Sequence, residues 1–96
     1  MMNKDLEYII LSYLKSYNPA IIGIFGSYAR NENKSGSDID LFVKFNESIS
    51  MIQLVRLENK LSEALGIKVD LVTEGALKNK RLKAYIQNDL QIIYHA

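Results

Sequence analysis

The chain has 96 residues, 48% of them hydrophobic and 24% charged, which suffices for one domain with its own core and is too little for two. Twelve Lys and Arg stand against eleven Asp and Glu, a balance that argues against a protein coating nucleic acid by charge alone. With no cysteine, disulfides and thiolate metal sites are excluded; with one histidine, His95, a structural zinc is not expected, and any metal is expected to be a hard cation held by oxygen.

Leu6, Ile9, Ile10, Tyr13, Leu14 and Tyr17 recur at helical spacing and predict an amphipathic helix over about residues 4 to 17. Asn3 suits its N-cap, Asp5 and Glu7 suit its first turn, and Asn18-Pro19 should end it. The segment "AIIGIF" (20 to 25) reads as a short buried strand, Gly26-Ser27 as a turn, and residues 27 to 30 as the opening of a short helix. A polar loop follows over 31 to 37. From Asp38 the pattern has period two: Ile39, Leu41, Val43 and Phe45 share one face of a strand, and Asp38, Asp40, Phe42 and Lys44 share the other.

The stretch "SMIQ" at 50 to 53 fits a capping box, and Leu54, Leu57, Leu61 and Leu65 continue a helix that Gly66 should terminate. "IKVDLV" (67 to 72) predicts a strand with Ile67, Val69 and Leu71 toward the core and Asp70 on the opposite side. A basic helix over about 76 to 88 and a last strand, "LQIIYH" (90 to 95), complete the chain. Leu77, Leu82, Tyr85, Ile86 and the pair Ile92-Ile93 are expected in the core. Lys78, Lys80, Arg81 and Lys83 read as a solvated helix face, with contact to a partner or a nucleotide as the sharper alternative; Tyr94 and His95 read as an interface or a frayed end. The expected fold is α/β (α+β), one domain over 1–96 with a small mixed sheet flanked by helices. No stretch resembles a signal peptide, and no run approaches the roughly 18 apolar residues of a membrane span, so a cytoplasmic protein without membrane contact is expected.

Asp38, Asp40 and Asp70 project from two strands, each on the face opposite the main apolar row. If the strands are neighbours, the three carboxylates converge, and such a cluster is unfavourable without counter-charge. One or two Mg²⁺ would remove that conflict, and two ions about 4 Å apart can clamp both oxygens of an in-line phosphoryl displacement. Gly26 and Ser27 lie where a strand turns: glycine lets the backbone approach an anion closely, and Ser27 adds a hydroxyl donor. Arg30, one turn on, can reach the same phosphates. Gly-Ser, ten residues, then Asp-x-Asp arises in about one random chain in a thousand of this length.

The stretch "GSYARNENKSGSDIDLFV" resembles the GS-x10-D-x-D signature of the polymerase-β-like nucleotidyltransferase superfamily. Together with "KVDLVTEGALKNKRLKAYIQNDLQIIY" it is similar to the minimal nucleotidyltransferase (MNT) branch, which includes antitoxins encoded beside HEPN-domain toxins. The resemblance implies that Gly26, Ser27 and Arg30 bind nucleotide phosphates. It implies that Asp38, Asp40 and Asp70 are catalytic metal ligands, Asp70 also activating the acceptor hydroxyl. The implied reaction moves AMP from ATP onto a hydroxyl, with Mg²⁺ as cofactor and pyrophosphate leaving.

So small a chain leaves little for an acceptor-binding domain, so the acceptor should arrive on another macromolecule. The resemblance implies a tyrosine of a cognate HEPN ribonuclease toxin in a hetero-oligomer, without direct nucleic-acid binding by this chain. The competing reading is an antitoxin that covers its toxin without turnover. A small nucleic-acid-binding domain fits less well, because neither an RNP-type aromatic pattern nor a GXXG loop is present.

Overall fold

The structure is a computed structural model and describes residues 4–96; the expected cap at Asn3 lies outside the described residues. Helix α1 runs Lys4–Leu14 and tightens into a 3-10 turn over Lys15–Tyr17. Asn18 ends it in the left-handed conformation, φ 54°, its amide bonding the Lys15 carbonyl. Strand β1, Pro19–Phe25, begins at once, with proline at the first strand position, where its missing N–H is tolerated.

The expected helix over 27 to 30 does not form. Residues 26 to 31 make a turn in which Arg30 N bonds Gly26 O at 3.1 Å and Glu32 N bonds Ser27 O at 2.9 Å. Asn31 takes a positive φ of 58°, which halts helical propagation before nucleation is repaid by further bonds. Strand β2, Ile39–Phe45, follows the polar loop.

Helix α2, Met51–Leu65, starts with the capping box read from the sequence. Ser50 Oγ accepts from Gln53 N, Gln53 Oε1 accepts from Ser50 N, and Gly66 closes the helix at φ 67°. Removing the cap hydroxyl with Ser50→Ala is expected to cost about 1 kcal/mol. In thermal melts this is a fall in Tm of about 4–8 °C, with nucleotide binding unchanged. Strand β3, Val69–Val72, is followed by a 3-10 segment, Glu74–Lys78, and helix α3, Lys80–Asp89. The break in the expected basic helix is Asn79, whose side chain caps α3 by accepting from Arg81 N and Leu82 N. Strand β4, Gln91–His95, is last.

The four strands form one mixed sheet in the order β3-β2-β1-β4, with β1 antiparallel to both neighbours and β2 parallel to β3. A parallel pair needs a long crossover, and α2 supplies it. One face carries Ile22, Ile24, Ile39, Leu41, Val43, Val69 and Leu71, packed with Ile10 and Leu14 of α1 and Leu57 and Leu61 of α2. The other face carries a smaller cluster, Phe25 and Phe42 under Ile86 of α3. The outer edge of β3 is covered by α2: Ser62 Oγ accepts from Val69 N at 2.9 Å and Glu58 Oε2 from Leu71 N at 2.8 Å. Gly23 lets β4 approach β1, since a Cβ there would lie 2.6 Å from Leu90 Cδ1.

Two expectations about the core are corrected. Ile93 packs inward, but Ile92 is exposed, because neighbouring strand residues must point to opposite faces. Tyr85 is also exposed rather than core. Tyr94 and His95 are not frayed, since they pair with Ile22 and Ile21 of β1. Lys78, Lys80, Arg81 and Lys83 are all exposed. No helix among the described residues is long and apolar enough to cross a membrane.

Candidate active site

The mixed sheet aligns the carboxylates. Asp40 of β2 lies directly beside Asp70 of β3 in the parallel register, and its partner on the other side is Phe25 of β1. The row Phe25–Asp40–Asp70 therefore crosses three strands on the face that also carries α3. Asp38 comes two residues earlier with the same parity, just before β2. Gly26 and Ser27 continue from Phe25, which brings the Gly26–Ser27 turn against Asp40. Gly26 has φ +74°, and a Cβ added to it would collide with Asp40 Oδ2. Only a glycine admits so close an approach in that conformation.

All three aspartates are half-buried. Burial pushes the Asp40 carboxyl up to about 6, and the neighbouring charges of Asp70 and then Asp38 push in the same direction. The closeness of the Asp70 carboxyl is thus part of what holds the Asp40 pKa up. Arg30 acts against this rise without cancelling it. Asp38 turns toward Lys68, with 4.0 Å between Asp38 Oδ2 and Lys68 Nζ. As the side chains are placed, no three His, Cys, Asp or Glu residues among the described residues are grouped so that they could hold a metal ion. What the structure does show is a set of hard oxygen donors short of positive charge, and that donor chemistry fits Mg²⁺ or a similar divalent cation.

The turn at 26–31 offers free donors. Arg30, Asn31 and Glu32 use their amides to close the turn, whereas Ser27, Tyr28 and Ala29 have no backbone acceptor for theirs among the described residues. Arg30 stands at the rim, within electrostatic reach of Asp40, but its guanidinium is already engaged. Nε donates to Glu32 Oε1 at 2.7 Å and Nη1 to Asp89 Oδ2 at 2.6 Å. These partners, Glu32 first, together with the nearby Tyr85 hydroxyl, hold its pKa above the ordinary arginine value.

The residues singled out in the sequence, Gly26, Ser27, Arg30, Asp38, Asp40 and Asp70, are thus gathered at one end of one sheet face. Sequence reasoning missed Tyr85 and Asp89. They are spaced i, i+4 on α3, which puts them on one helix side, but nothing local says that this side meets the 26–31 turn. Gln91, whose Nε2 donates to Ala29 O at 2.8 Å, also secures the turn.

A model of the nucleotidyltransferase domain matches residues 8–93. A Methanocaldococcus jannaschii protein with the provisional name protein adenylyltransferase MJ1217 is 49% identical over 76 residues, 79% of this chain and 78% of that protein. Protein adenylyltransferase MntA of Thermococcus cleftensis is 34% identical over 95 residues, 95% of this chain and 93% of the relative. Among solved structures, a toxin-antitoxin complex with AMP-PNP contains a chain that superimposes with a TM-score of 0.81 at 26% identity, covering 94% of this chain and 73% of that one. A complex of tri-AMPylated Shewanella oneidensis HEPN toxin with MNT antitoxin gives a TM-score of 0.79 at 25% identity, covering 99% and 74%. With the Gly-Ser turn set against the paired aspartates as the geometry has it, the chain belongs to the nucleotidyltransferase domain family.

Proposed function

We propose that this protein is an antitoxin that inactivates a HEPN-type toxin by transferring AMP from ATP to a tyrosine hydroxyl of that partner. The observation that carries the reading is the register of Asp40 beside Asp70, next to a glycine turn pressed against the Asp40 carboxylate. Relatives named as protein adenylyltransferases, and likeness to a chain from a complex of an AMPylated HEPN toxin, support it.

The roles follow from position. Ser27 and the amides of Ser27, Tyr28 and Ala29 bind the β- and γ-phosphates, placing the α-phosphorus over Asp40. Asp38, Asp40 and Asp70 hold divalent cations, which when bound neutralise charge on the phosphoryl group in transfer. Asp70, on the side of Asp40 away from the phosphate turn, orients the acceptor phenol. The phenol oxygen bonds to the α-phosphorus, the bond from that phosphorus to the bridging oxygen breaks, pyrophosphate leaves, and the phenolic proton passes to Asp70 or solvent. The chain's contribution is positioning and charge placement rather than a covalent intermediate. The modified tyrosine gains bulk and negative charge, which would obstruct an RNA-binding cleft.

The test is to incubate the protein, Mg²⁺ and the toxin encoded beside it with ATP labelled at either the α- or the γ-phosphate. Only the α-label is expected on the toxin, on tyrosine. Transfer of the γ-label would mean a kinase-type reaction. A stable complex that takes up neither label would show that the antitoxin works by covering its toxin.

A further inference from the structure

Tyr85 is placed where the fold does not need it. Helix α3 is seated on the sheet by Leu82 and Ile86, whereas Tyr85 is 46% exposed. Its ring meets Phe25 edge-on, with centroids 5.9 Å apart and planes at 87°. This contact fixes the ring over the end of β1 and carries the hydroxyl to the phosphate turn. A Cβ built on Gly26 would lie 3.3 Å from the Tyr85 oxygen, on the same spot that would collide with Asp40 Oδ2. The phenol and the Asp40 carboxylate therefore flank the turn together.

The Tyr85 hydroxyl is near enough to the Arg30 guanidinium to influence it, and a hydrogen bond between the two can run in one direction only. A guanidinium donates and never accepts, so the Tyr85 oxygen is the acceptor and its own O–H remains to be donated. A hydroxyl that accepts from a cation is polarised and becomes a stronger donor. Holding Arg30 does not require this hydroxyl, since Glu32 and Asp89 already grip the guanidinium at 2.7 and 2.6 Å. Those two carboxylates also balance the arginine's charge, which weakens it as a direct ion-pair partner for phosphate.

We propose that Tyr85 is a nucleotide-contact residue whose hydroxyl, polarised by Arg30, donates to a non-bridging oxygen of the β- or γ-phosphate held at the Gly26–Ser27 turn. Arg30 then acts on the triphosphate through the phenol. The proposal rests on the nucleotidyltransferase reading and adds to it a binding group from α3. Because Tyr85 stands on the phosphate-turn side of Asp40, it serves the leaving pyrophosphate and not the acceptor.

Tyr85→Phe keeps the ring and its contact with Phe25 and removes only the hydroxyl. Calorimetric titration of the wild-type and variant proteins with AMP-PNP and with AMP, in Mg²⁺ buffer, is the test. The variant is expected to bind AMP-PNP roughly ten-fold or more weakly, the loss of one hydrogen bond to a charged group. AMP affinity and Tm should be unchanged. Equal AMP-PNP affinity in the two proteins would overturn the proposal, and so would an equal loss for AMP, which would point to a structural role. Wild-type protein that bound no AMP-PNP at all would overturn the nucleotidyltransferase reading as well. A wild type that binds beside an unaffected variant overturns the Tyr85 role alone.

Discussion

Asp40→Asn is expected to abolish AMP transfer, by about a thousand-fold or more, and to raise Tm by a few degrees in metal-free buffer at pH 7.5. The two effects have one cause. Asp40 is half-buried beside Asp70 and Asp38, and its carboxyl is pushed up to about 6 from the ordinary 3.8. Between those values the folded protein binds more protons than the unfolded chain. Stability from this group therefore falls as pH rises from about 4 to about 6 and stays reduced above that. The full difference corresponds to at most about 3 kcal/mol, and partial solvent screening brings the expected cost to about 1–2 kcal/mol.

An asparagine carries no charge at any pH and escapes that cost. The variant's advantage in differential scanning calorimetry should thus be present at pH 7.5 and absent at pH 4. Mg²⁺ should stabilise the wild-type protein at pH 7.5 by binding the folded state, and should do so much less in the variant. A fall of several degrees for Asp40→Asn at pH 7.5 would mean that the carboxylate serves a structural hydrogen bond, and the metal reading would lose its main support.

Gly26→Ala should have the second-largest effect, on stability and binding at once. At φ +74° an alanine is strained by about 1–2 kcal/mol, and its methyl group would land on the Asp40 carboxylate. The carboxylate can move only by leaving its place beside Asp70 or pressing the turn outward. We expect Tm to fall by about 5–15 °C and AMP-PNP affinity to fall by at least about ten-fold. Gly66→Ala is the matched control. Gly66 has φ +67°, but a Cβ there meets nothing within 4 Å, so this variant bears the conformational strain alone and should bind nucleotide normally. Equal nucleotide affinity in both variants would show that the contact between the turn and Asp40 is not needed for binding.

Local chemistry was legible in the sequence wherever a signal is completed within one or two turns of chain. The Ser50–Gln53 capping box, the Gly66 stop and the period-two run from Asp38 to Phe45 all formed as read, because each is set by backbone geometry between near neighbours. That alternation alone placed Asp38 and Asp40 on one face of one strand. The turn at 27–30 was misread as a short helix, because residue preferences there do not reveal that Asn31 takes a positive φ.

The meeting of the two aspartate-bearing strands belongs to the tertiary structure. That Asp70 stands level with Asp40 depends on α2 crossing back to lay β3 parallel to β2, and on Val69 and Leu71 being buried with Leu57 and Leu61. A slip of one residue would have sent Asp70 to the opposite face. The grip of Asp89 and Gln91 on the turn at 26–31, and the placing of Tyr85 beside it, likewise arise only when Ile86 and Leu82 are buried over Phe25 and Phe42. The sequence by itself determined which side chains could do the chemistry and which way each faces along its own strand. The packed sheet decided which of them meet, because register and helix docking are chosen by burial of apolar surface across the whole domain and by no residue's immediate neighbours.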